Sequence, residues 1–279
     1  MKAYQIFIRH FFLLLPLSLT GMASRAQSLP NKQANSVYLP NALKIDGRSD
    51  EWNNKFQAYN KHTDLFYTIA NDDSKIYLIV QIVDPVVIQK TIIGGLTFTI
   101  KPMSKENKSH NITLTFPSID KKDRGLIEQH EKQLSALVKV TERDKSRDSL
   151  TKVINKEFFE KSVIKIGGIS AIEDSVISIY NINGIKTKAI FDKTNVYTCE
   201  IVIPMKYIES NINNGKLNYN IQLNGRFYNT GTNAQLTSDG RATIRSTPGY
   251  SSVVLTNTSQ SMTLDYPTDF SGDYILAIK

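Results

Sequence analysis

The stretch that decides the fold is DLFYTIANDDSKIYLIVQIV, residues 64–83. Its second half has apolar side chains on both faces of a strand, namely Ile76, Leu78, Val80 and Ile82 on one face and Tyr77, Ile79 and Val83 on the other. Apolar residues on both faces are typical of a central strand that is covered on each side. The run 64–70 predicts a partner strand, and NDDSK (71–75) has the composition of a turn. The stretch therefore predicts a hairpin at the centre of a sheet.

Further strand-like runs follow along the chain, with turn residues between them. They are residues 96–102, 111–117, 162–168, 175–182, 187–192, 196–204, 217–229 and 250–257. Short strands at this spacing are typical of a β-sandwich. We therefore predict a mainly β protein built as an antiparallel β-sandwich. The polar, turn-rich segment 229–250 reads as a long, mobile loop.

One charged segment, residues 121–161, breaks the strand pattern. Its apolar residues recur at helical spacing, which predicts one or two amphipathic helices inserted between strands and packed against the sandwich. These residues are Leu126, Ile127, Leu134, Leu137, Val138, Leu150, Val153, Ile154 and Phe158. We expect the charged face of the insertion to be solvated. Capture of a protein partner through 121–161 is the alternative.

The first 26 residues read as a signal peptide. Lys2 and Arg9 precede an apolar run at 11–23, and Ala26 is the small residue before the predicted cleavage point. The run is short for a bilayer span and Pro16 interrupts it, so we expect no stable membrane span after cleavage. No cysteine stands directly after this apolar run to carry a lipid, so we do not expect a lipoprotein.

The mature chain, 27–279, is long enough for a single sandwich domain, which we expect in the periplasm or outside the cell. The net charge is +8, and three of the cations precede residue 27, where there is no acid, which leaves +5 for the mature chain. Lysines are scattered among acids rather than gathered in one run, so we expect no nucleic-acid partner.

Cys199 is the single cysteine, so the fold is held without an internal disulfide. It alternates with Tyr197 and Ile201 in a strand-like run, which predicts a small core residue rather than a reactive thiol.

Two acidic turns offer hard oxygen ligands of the kind that calcium prefers. Their acids are Asp46, Asp50 and Glu51 in the first turn, and Asp72 and Asp73 in the second. The spacing in the first turn is not that of an EF-hand loop. The alternative to a calcium site is that these side chains cap their own turns. In the first turn we also expect Gly47 to permit the bend and Trp52 to be buried against the sandwich.

The residues of these turns resemble the start of family-9-type carbohydrate-binding modules and of the related DOMON-like β-sandwiches. The matching residues are Ile45, Asp46, Gly47, Asp50, Glu51 and Trp52, followed by Ala70, Asn71, Asp72, Tyr77, Leu78, Val83 and Asp84. The segment 184–208 is similar to that family's paired strands ending in a proline, and 266–279 resembles the C-terminal end of a secreted bacterial branch. The resemblance implies a β-sandwich fold and points to carbohydrate as the ligand class.

Sugar-binding members of this family hold the ligand between two loop tryptophans, whereas this chain has only one tryptophan. Tyrosines in or beside predicted loops, Tyr228, Tyr250 and Tyr266, are the candidate replacements, because their rings are amphipathic. The alternative is that they only pack. We therefore expect a secreted, non-catalytic glycan-binding module. The rival is a structural or protein-interaction domain of the periplasm or cell surface that has lost the sugar site.

Other chemistry finds little support in the residues. No G-x-S-x-G, H-E-x-x-H or phosphate-binding glycine loop is present, and no acidic pair stands in a glycosidase context, so we do not expect an enzyme. Some DOMON-like relatives bind haem through a methionine and a histidine. The candidate methionines and histidines are Met103, Met205, Met262, His62, His110 and His130. No methionine and histidine among them form a recognisable pair. We expect no cofactor other than a structural calcium ion.

Overall fold

The structure is a computed structural model that describes residues 29–103, 110–139, 144–226, 233–236, 242–245, 253–255 and 260–279. The predicted signal peptide lies outside the described residues.

The described residues form the following strands and helices. The strands are β1 (Ala58–Asn60), β2 (Leu65–Asn71), β3 (Lys75–Ile82), β4 (Leu96–Lys101), β5 (Ile112–Ile119), β6 (Ser162–Gly167), β7 (Val176–Ser178), β8 (Lys186–Phe191), β9 (Tyr197–Pro204), β10 (Lys216–Leu223), β11 (Asn233–Leu236), β12 (Ala242–Arg245), β13 (Val253–Leu255) and β14 (Thr268–Ile275). The helices are α1 (Pro85–Gly94), α2 (Lys121–Val138), α3 (Asp144–Lys161) and α4 (Gln260–Asp265), with 3₁₀ turns at Asp50–Trp52, Met205–Tyr207 and Glu209–Asn211.

Two antiparallel sheets form the body of the protein and confirm the predicted mainly β fold. Sheet A has the order β1-β2-β3-β9-β8, and sheet B has the order β14-β10-β4-β5-β6-β7. Their facing side chains belong to one continuous hydrophobic cluster, as a sandwich requires. A small third sheet, β11-β12-β13, places two strands in the segment 229–250. The expectation of an unbroken loop there was wrong, since even short polar runs pair when a neighbouring strand satisfies their backbone groups.

The central strand β3 has the two covered faces that its sequence predicts. Ile76 and Leu78 face sheet B in the sandwich core. Tyr77 and Ile79 point the other way, into a second hydrophobic cluster that includes Leu39 from the N-terminal segment. An N-terminal covering layer therefore buries the outer face of sheet A.

The N-terminal layer is attached to both sheets through side chains. The Gln33 amide acts as a strand substitute, since its Oε1 accepts from Ile69 N at 2.7 Å and its Nε2 donates to Ile69 O at 2.8 Å. The Tyr274 hydroxyl in β14 contacts both backbone groups of Val37, at 3.1 and 3.2 Å. Asn71 Oδ1 accepts from Ala277 N at 2.7 Å. The first and last described segments thus meet at one edge of the sandwich.

The helical insertion is present as α2 and α3, and the predicted stripe is partly right. Ile127, Leu134, Ile154 and Phe158 join the sandwich core, whereas Leu126 and Val153 are 49% and 41% exposed. Helix α1 was not predicted, because its apolar residues cover most of its circumference and give no helical stripe. Its start carries the usual signals, Pro85 in the first turn and the Asp84 carboxylate accepting from Val86 N at 2.8 Å.

Cys199 confirms the expectation of a core residue. It is buried and unpaired on the inner face of β9, and burial raises the pKa of its thiol. A thiol in such surroundings is inert at neutral pH.

We predict that Gln33→Ala lowers the free energy of unfolding by about 2 kcal/mol, because two buried backbone groups of Ile69 lose their partner. Urea unfolding measures this change. The matched control is Asn35→Ala, which alters an exposed side chain two residues away and should stay within about 0.5 kcal/mol of the parent. Equal effects from the two variants would contradict the role given to Gln33.

Candidate functional site

One candidate site is a groove between the first acidic turn, the β8–β9 hairpin and helix α3, which we call the turn–helix groove. It encloses about 460 Å³, within the range of small-molecule sites. Its lining residues are Gly47, Arg48, Ser49, Asp50, Asn54, Gln81, Asp148, Thr151, Lys152, Asn155, Ile190, Phe191, Asp192, Lys193, Val196 and Thr198.

The wall formed by the turn depends on a glycine. Gly47 has φ +84°, and a Cβ atom there would lie 3.0 Å from two side-chain carbons of Ile190. Both facts favour a residue without a side chain. The Asp46 carboxylate accepts from Arg48 N at 3.0 Å, and Ser49 O accepts from Trp52 N at 3.1 Å. The chain therefore bends tightly over β8 at this point.

Trp52 fixes the end of the same turn. Its ring stacks on Tyr77 at a centroid distance of 5.5 Å, and its Nε1 donates to the Tyr77 hydroxyl at 3.2 Å. The Tyr77 hydroxyl in turn donates to Glu200 Oε1 at 2.7 Å. The indole is half-buried in this position, where it supports the groove wall from behind.

Glu200 is the buried acid beneath the turn. It lies on the outer face of β9, beside Ile79 of β3 and Lys188 of β8 in the strand register. Its Oε2 accepts a short hydrogen bond from Gly47 N. Burial raises the pKa of its carboxyl to about 7, although the hydrogen bonds from Tyr77 and Gly47 act in the opposite direction. No ion pair involving Glu200 is found within the described residues.

The opposite wall is held by side-chain amides. Asn155 on α3 donates from Nδ2 to Phe191 O at 2.8 Å and accepts from Phe191 N at 2.7 Å, which attaches the helix to the end of β8. Buried Glu131 on α2 accepts from Asn195 in the hairpin at 2.8 Å and from Gln89 on α1 at 3.4 Å. Burial raises the pKa of the Glu131 carboxyl. The insertion is thus fixed against the sandwich at polar as well as apolar contacts.

Charge in the turn–helix groove is balanced. Three basic side chains (Arg48, Lys152, Lys193) face three acidic ones (Asp50, Asp148, Asp192), and amides and hydroxyls make up most of the remainder. Ile190 and Val196 are the partly exposed apolar residues of the lining, whereas the Phe191 ring points into the sandwich core. A surface of this kind suits an uncharged ligand that has both hydrogen-bonding groups and apolar faces.

The acids proposed for calcium lie in two separate turns and make local contacts. Asp72 accepts from Ser74 N at 2.8 Å and from Lys75 N at 3.0 Å, and its carboxylate also pairs with the Lys75 ammonium. Burial acts to raise its pKa, but the bonds from Lys75 and Ser74 outweigh that and lower it. Glu51 Oε1 accepts from Lys44 N at 3.3 Å, while Asp73 is exposed on its turn. Among the described residues no group of three or more His, Cys, Asp and Glu side chains is arranged to hold a metal ion.

Of the three candidate ligand tyrosines, Tyr228 and Tyr250 lie outside the described residues. Tyr266 is partly buried between α4 and β14. The structure therefore does not bring the three together at a described site, and Tyr266 does not line the turn–helix groove. For the haem candidates, His130 pairs with Glu157 at 2.8 Å between α2 and α3, and Met205 lies in the core.

Sequence reasoning missed the buried charged side chains Glu131, Glu200 and Lys90. Lys90 on α1 donates from Nζ to Thr268 Oγ1 at 2.9 Å and has no ion pair within the described residues. Burial lowers the pKa of its ammonium to about 7. The available signal was a charged residue inside an apolar run, as in CEIVI for Glu200 and VVIQKTII for Lys90.

Comparisons of the chain with protein-family models, with curated proteins and with solved structures found no match. In the part of the chain that the structure describes, no helix combines the length and the apolar character needed to cross a membrane.

We predict that Glu200 makes the protein less stable as the pH rises from 4.5 to 7. Its carboxyl has a pKa of about 7 in the folded chain and 4.5 when free, so over this range the folded state binds the extra proton. At 1.4 kcal/mol per pKa unit the loss reaches about 3 kcal/mol. Glu200→Gln should remove this slope, because an amide does not titrate in this range. The amide oxygen can still accept the hydrogen bond from Gly47 N. Urea unfolding at several pH values measures the slope, and exposed Glu209→Gln is the control. Persistence of the slope in Glu200→Gln would refute the assignment.

Lys90 produces the opposite slope at higher pH. Its pKa is about 7 in the folded chain and 10.5 when free, so between these values the unfolded state binds the extra proton and stability rises with pH. The rise is at most about 5 kcal/mol. Lys90→Met fills a similar volume without charge, and we expect its unfolding free energy to be flat from pH 7 to 9.5. Exposed Lys122→Met should keep the parent slope; a Lys90→Met curve that matches the control curve would show that the ammonium is solvated.

Proposed function

We propose that this protein is an exported, non-catalytic binding module of the family-9-type or DOMON-like sandwich class, and that the turn–helix groove binds a neutral carbohydrate. The observation that carries the proposal is the composition of this groove, where balanced charges, amides and hydroxyls lie beside the apolar residues Ile190 and Val196. The likeness of the opening turn and the following hairpin to carbohydrate-binding modules supports the same ligand class.

Sugars match this surface for a physical reason. A pyranose presents hydroxyls around its rim and C–H groups on its faces, so it needs donors, acceptors and an apolar contact in one place. Gln81 projects from the outer face of β3, and its Nε2 donates to Thr198 Oγ1 at 3.3 Å. Its Oε1 is then available to accept a hydrogen bond from a ligand hydroxyl. Arg48 and Lys152 stand on opposite walls of the groove.

Binding rather than catalysis is the better match for the acids near the groove. Glu200 and Glu131, whose pKa values are raised, are both fully buried and accept hydrogen bonds from two donors each, so neither faces a ligand in the groove. Asp192 accepts from Thr194 N and Val196 N at 2.8 and 2.9 Å, which gives it a turn-capping role.

We predict that a glycan array probed with the mature chain gives a neutral oligosaccharide signal, and that calorimetry with that ligand is sensitive to the groove. Gln81→Ala should raise the Kd about ten-fold, because one polar contact is worth roughly 1.4 kcal/mol. The matched control is Asn218→Ala, on the outer face of sheet B away from the groove, which should leave the Kd unchanged.

Two results would overturn the proposal. An array without signal for any oligosaccharide class removes carbohydrate as the ligand. If Gln81→Ala and Asn218→Ala change the Kd equally, this groove is not the binding site. The loop tyrosines Tyr228, Tyr250 and Tyr266 then remain as the candidate ligand-binding residues.

A structural or protein-interaction role is the second candidate, supported by the apolar side chains that the insertion exposes. Leu126 on α2 and Val153 on α3 are each a little under half exposed, although neighbouring helical residues are in the core. A protein partner covering this part of 121–161 would bury them. The same array separates the two functions, since this role predicts no oligosaccharide signal.

A further inference from the structure

The connection from β7 to β8, residues 179–185, exposes two neighbouring apolar side chains, and we call it the β7–β8 loop. Tyr180 is 76% exposed and Ile182 is 100% exposed. Single exposed apolar residues are common on protein surfaces, but this short loop carries two, and Val176 in the preceding strand β7 is exposed as well. We call Tyr180 and Ile182 the apolar tip.

The loop is built to hold this tip in place. Asn181 Nδ2 donates to Ser178 O at 2.9 Å and to Ile185 O at 2.8 Å, which closes the loop at its base. The Tyr207 hydroxyl donates to Asn183 O at 3.1 Å from the neighbouring 3₁₀ turn. A fixed tip loses little conformational entropy when it meets a partner.

The ring of Tyr180 is also positioned from below. It packs edge-on against Phe159 of α3, with ring centroids 5.6 Å apart and an interplanar angle of 88°. The Lys188 ammonium lies over the Phe159 ring of this pair, 3.5 Å from the ring centroid. Aromatic and cationic groups are therefore interleaved at the base of the tip.

The charged side chains of the loop and its flanking strands are all positive. Residues 175–191 contain Lys186 and Lys188 and no acid, and Lys206 stands 4.9 Å from the centroid of the Tyr207 ring that braces the loop. None of these three lysines forms an ion pair with a carboxylate among the described residues. An apolar tip flanked by cations is complementary to a surface that is negatively charged outside and apolar inside.

We propose that the β7–β8 loop rests the protein on an anionic lipid surface. Ile182 enters the boundary between headgroups and acyl chains, Tyr180 stays at the headgroup level where amphipathic rings are favoured, and the exposed Lys186 and Lys206 meet the lipid phosphates. A second copy of the chain is a poorer occupant, because a two-fold contact would bring the same lysines together.

This arrangement leaves the turn–helix groove accessible. Helix α3 contributes Asn155 to the groove and Phe159 to the base of the loop. Four residues of helix separate them by about 6 Å. Ile182 and Tyr180 are not among the residues that line the groove, so a variant of the tip leaves the groove lining unchanged.

The test is co-sedimentation of the chain from Gln27 with vesicles of phosphatidylcholine alone or with 30% phosphatidylglycerol, at low and high salt. This chain holds every described element and omits the apolar run 11–23. We expect binding only with the anionic lipid. Ile182→Ser should weaken it at least about ten-fold, and Lys186→Gln with Lys206→Gln should weaken it roughly five-fold per lysine. The matched control is Ile278→Ser, which changes an equally exposed isoleucine (92%) beyond β14 at the other edge of the sandwich and should bind like the parent.

Three results would overturn the inference. The parent chain sediments with neither vesicle, or Ile182→Ser binds as well as Ile278→Ser, or analytical ultracentrifugation without lipid finds a dimer that Ile182→Ser dissociates while vesicles capture nothing. Sugar binding measured on the same variants reports the groove alone, so its failure is distinguishable from failure of the lipid contact.

Discussion

The buried carboxylate of Glu200 joins parts of the chain that are distant in sequence. It accepts hydrogen bonds from the backbone N–H of Gly47 and from the hydroxyl of Tyr77. The Tyr77 hydroxyl in turn accepts a hydrogen bond from the Trp52 indole. The opening turn is therefore fixed to the outer face of sheet A by a polar network within an apolar layer. Networks of this kind are effective only when every member is satisfied. The position of one groove wall follows from that requirement.

The other wall follows from the way the insertion is attached. Helices α2 and α3 contribute Ile127, Leu134, Ile154 and Phe158 to the sandwich core, so they are part of the domain rather than an appendage. Amide contacts then set their exact position, with Asn155 on the end of β8 and Glu131 on the hairpin. Apolar burial holds the helices, and the directional hydrogen bonds determine where α3 meets the turn.

Sequence pattern was sufficient where one periodicity dominated. The two-faced apolar pattern of β3 predicted a covered central strand, and the helical spacing in 121–161 predicted the insertion. It was insufficient where the pattern was uniform or the partner distant. Helix α1 is apolar around most of its surface, β14 contains Gly272 and alternating polar residues, and both are defined by neighbours far along the chain. Glu200 and Lys90 could be recognised as charges in apolar runs, but Gly47, Tyr77 and Thr268 as their partners could not, because no local spacing encodes a contact across 120 residues or more.

The junction of the two chain ends has a consequence for how the molecule is made. Val37 in the covering layer bonds Tyr274 in the last strand, and Asn71 bonds Ala277. A chain that emerges from its N terminus onward has no partner for these groups until residues 274–277 appear. Until then the edge of β10 lacks its neighbour β14, and sheet B stays open along one side. The covering layer and sheet B are therefore joined at this edge only after every other described strand has been made.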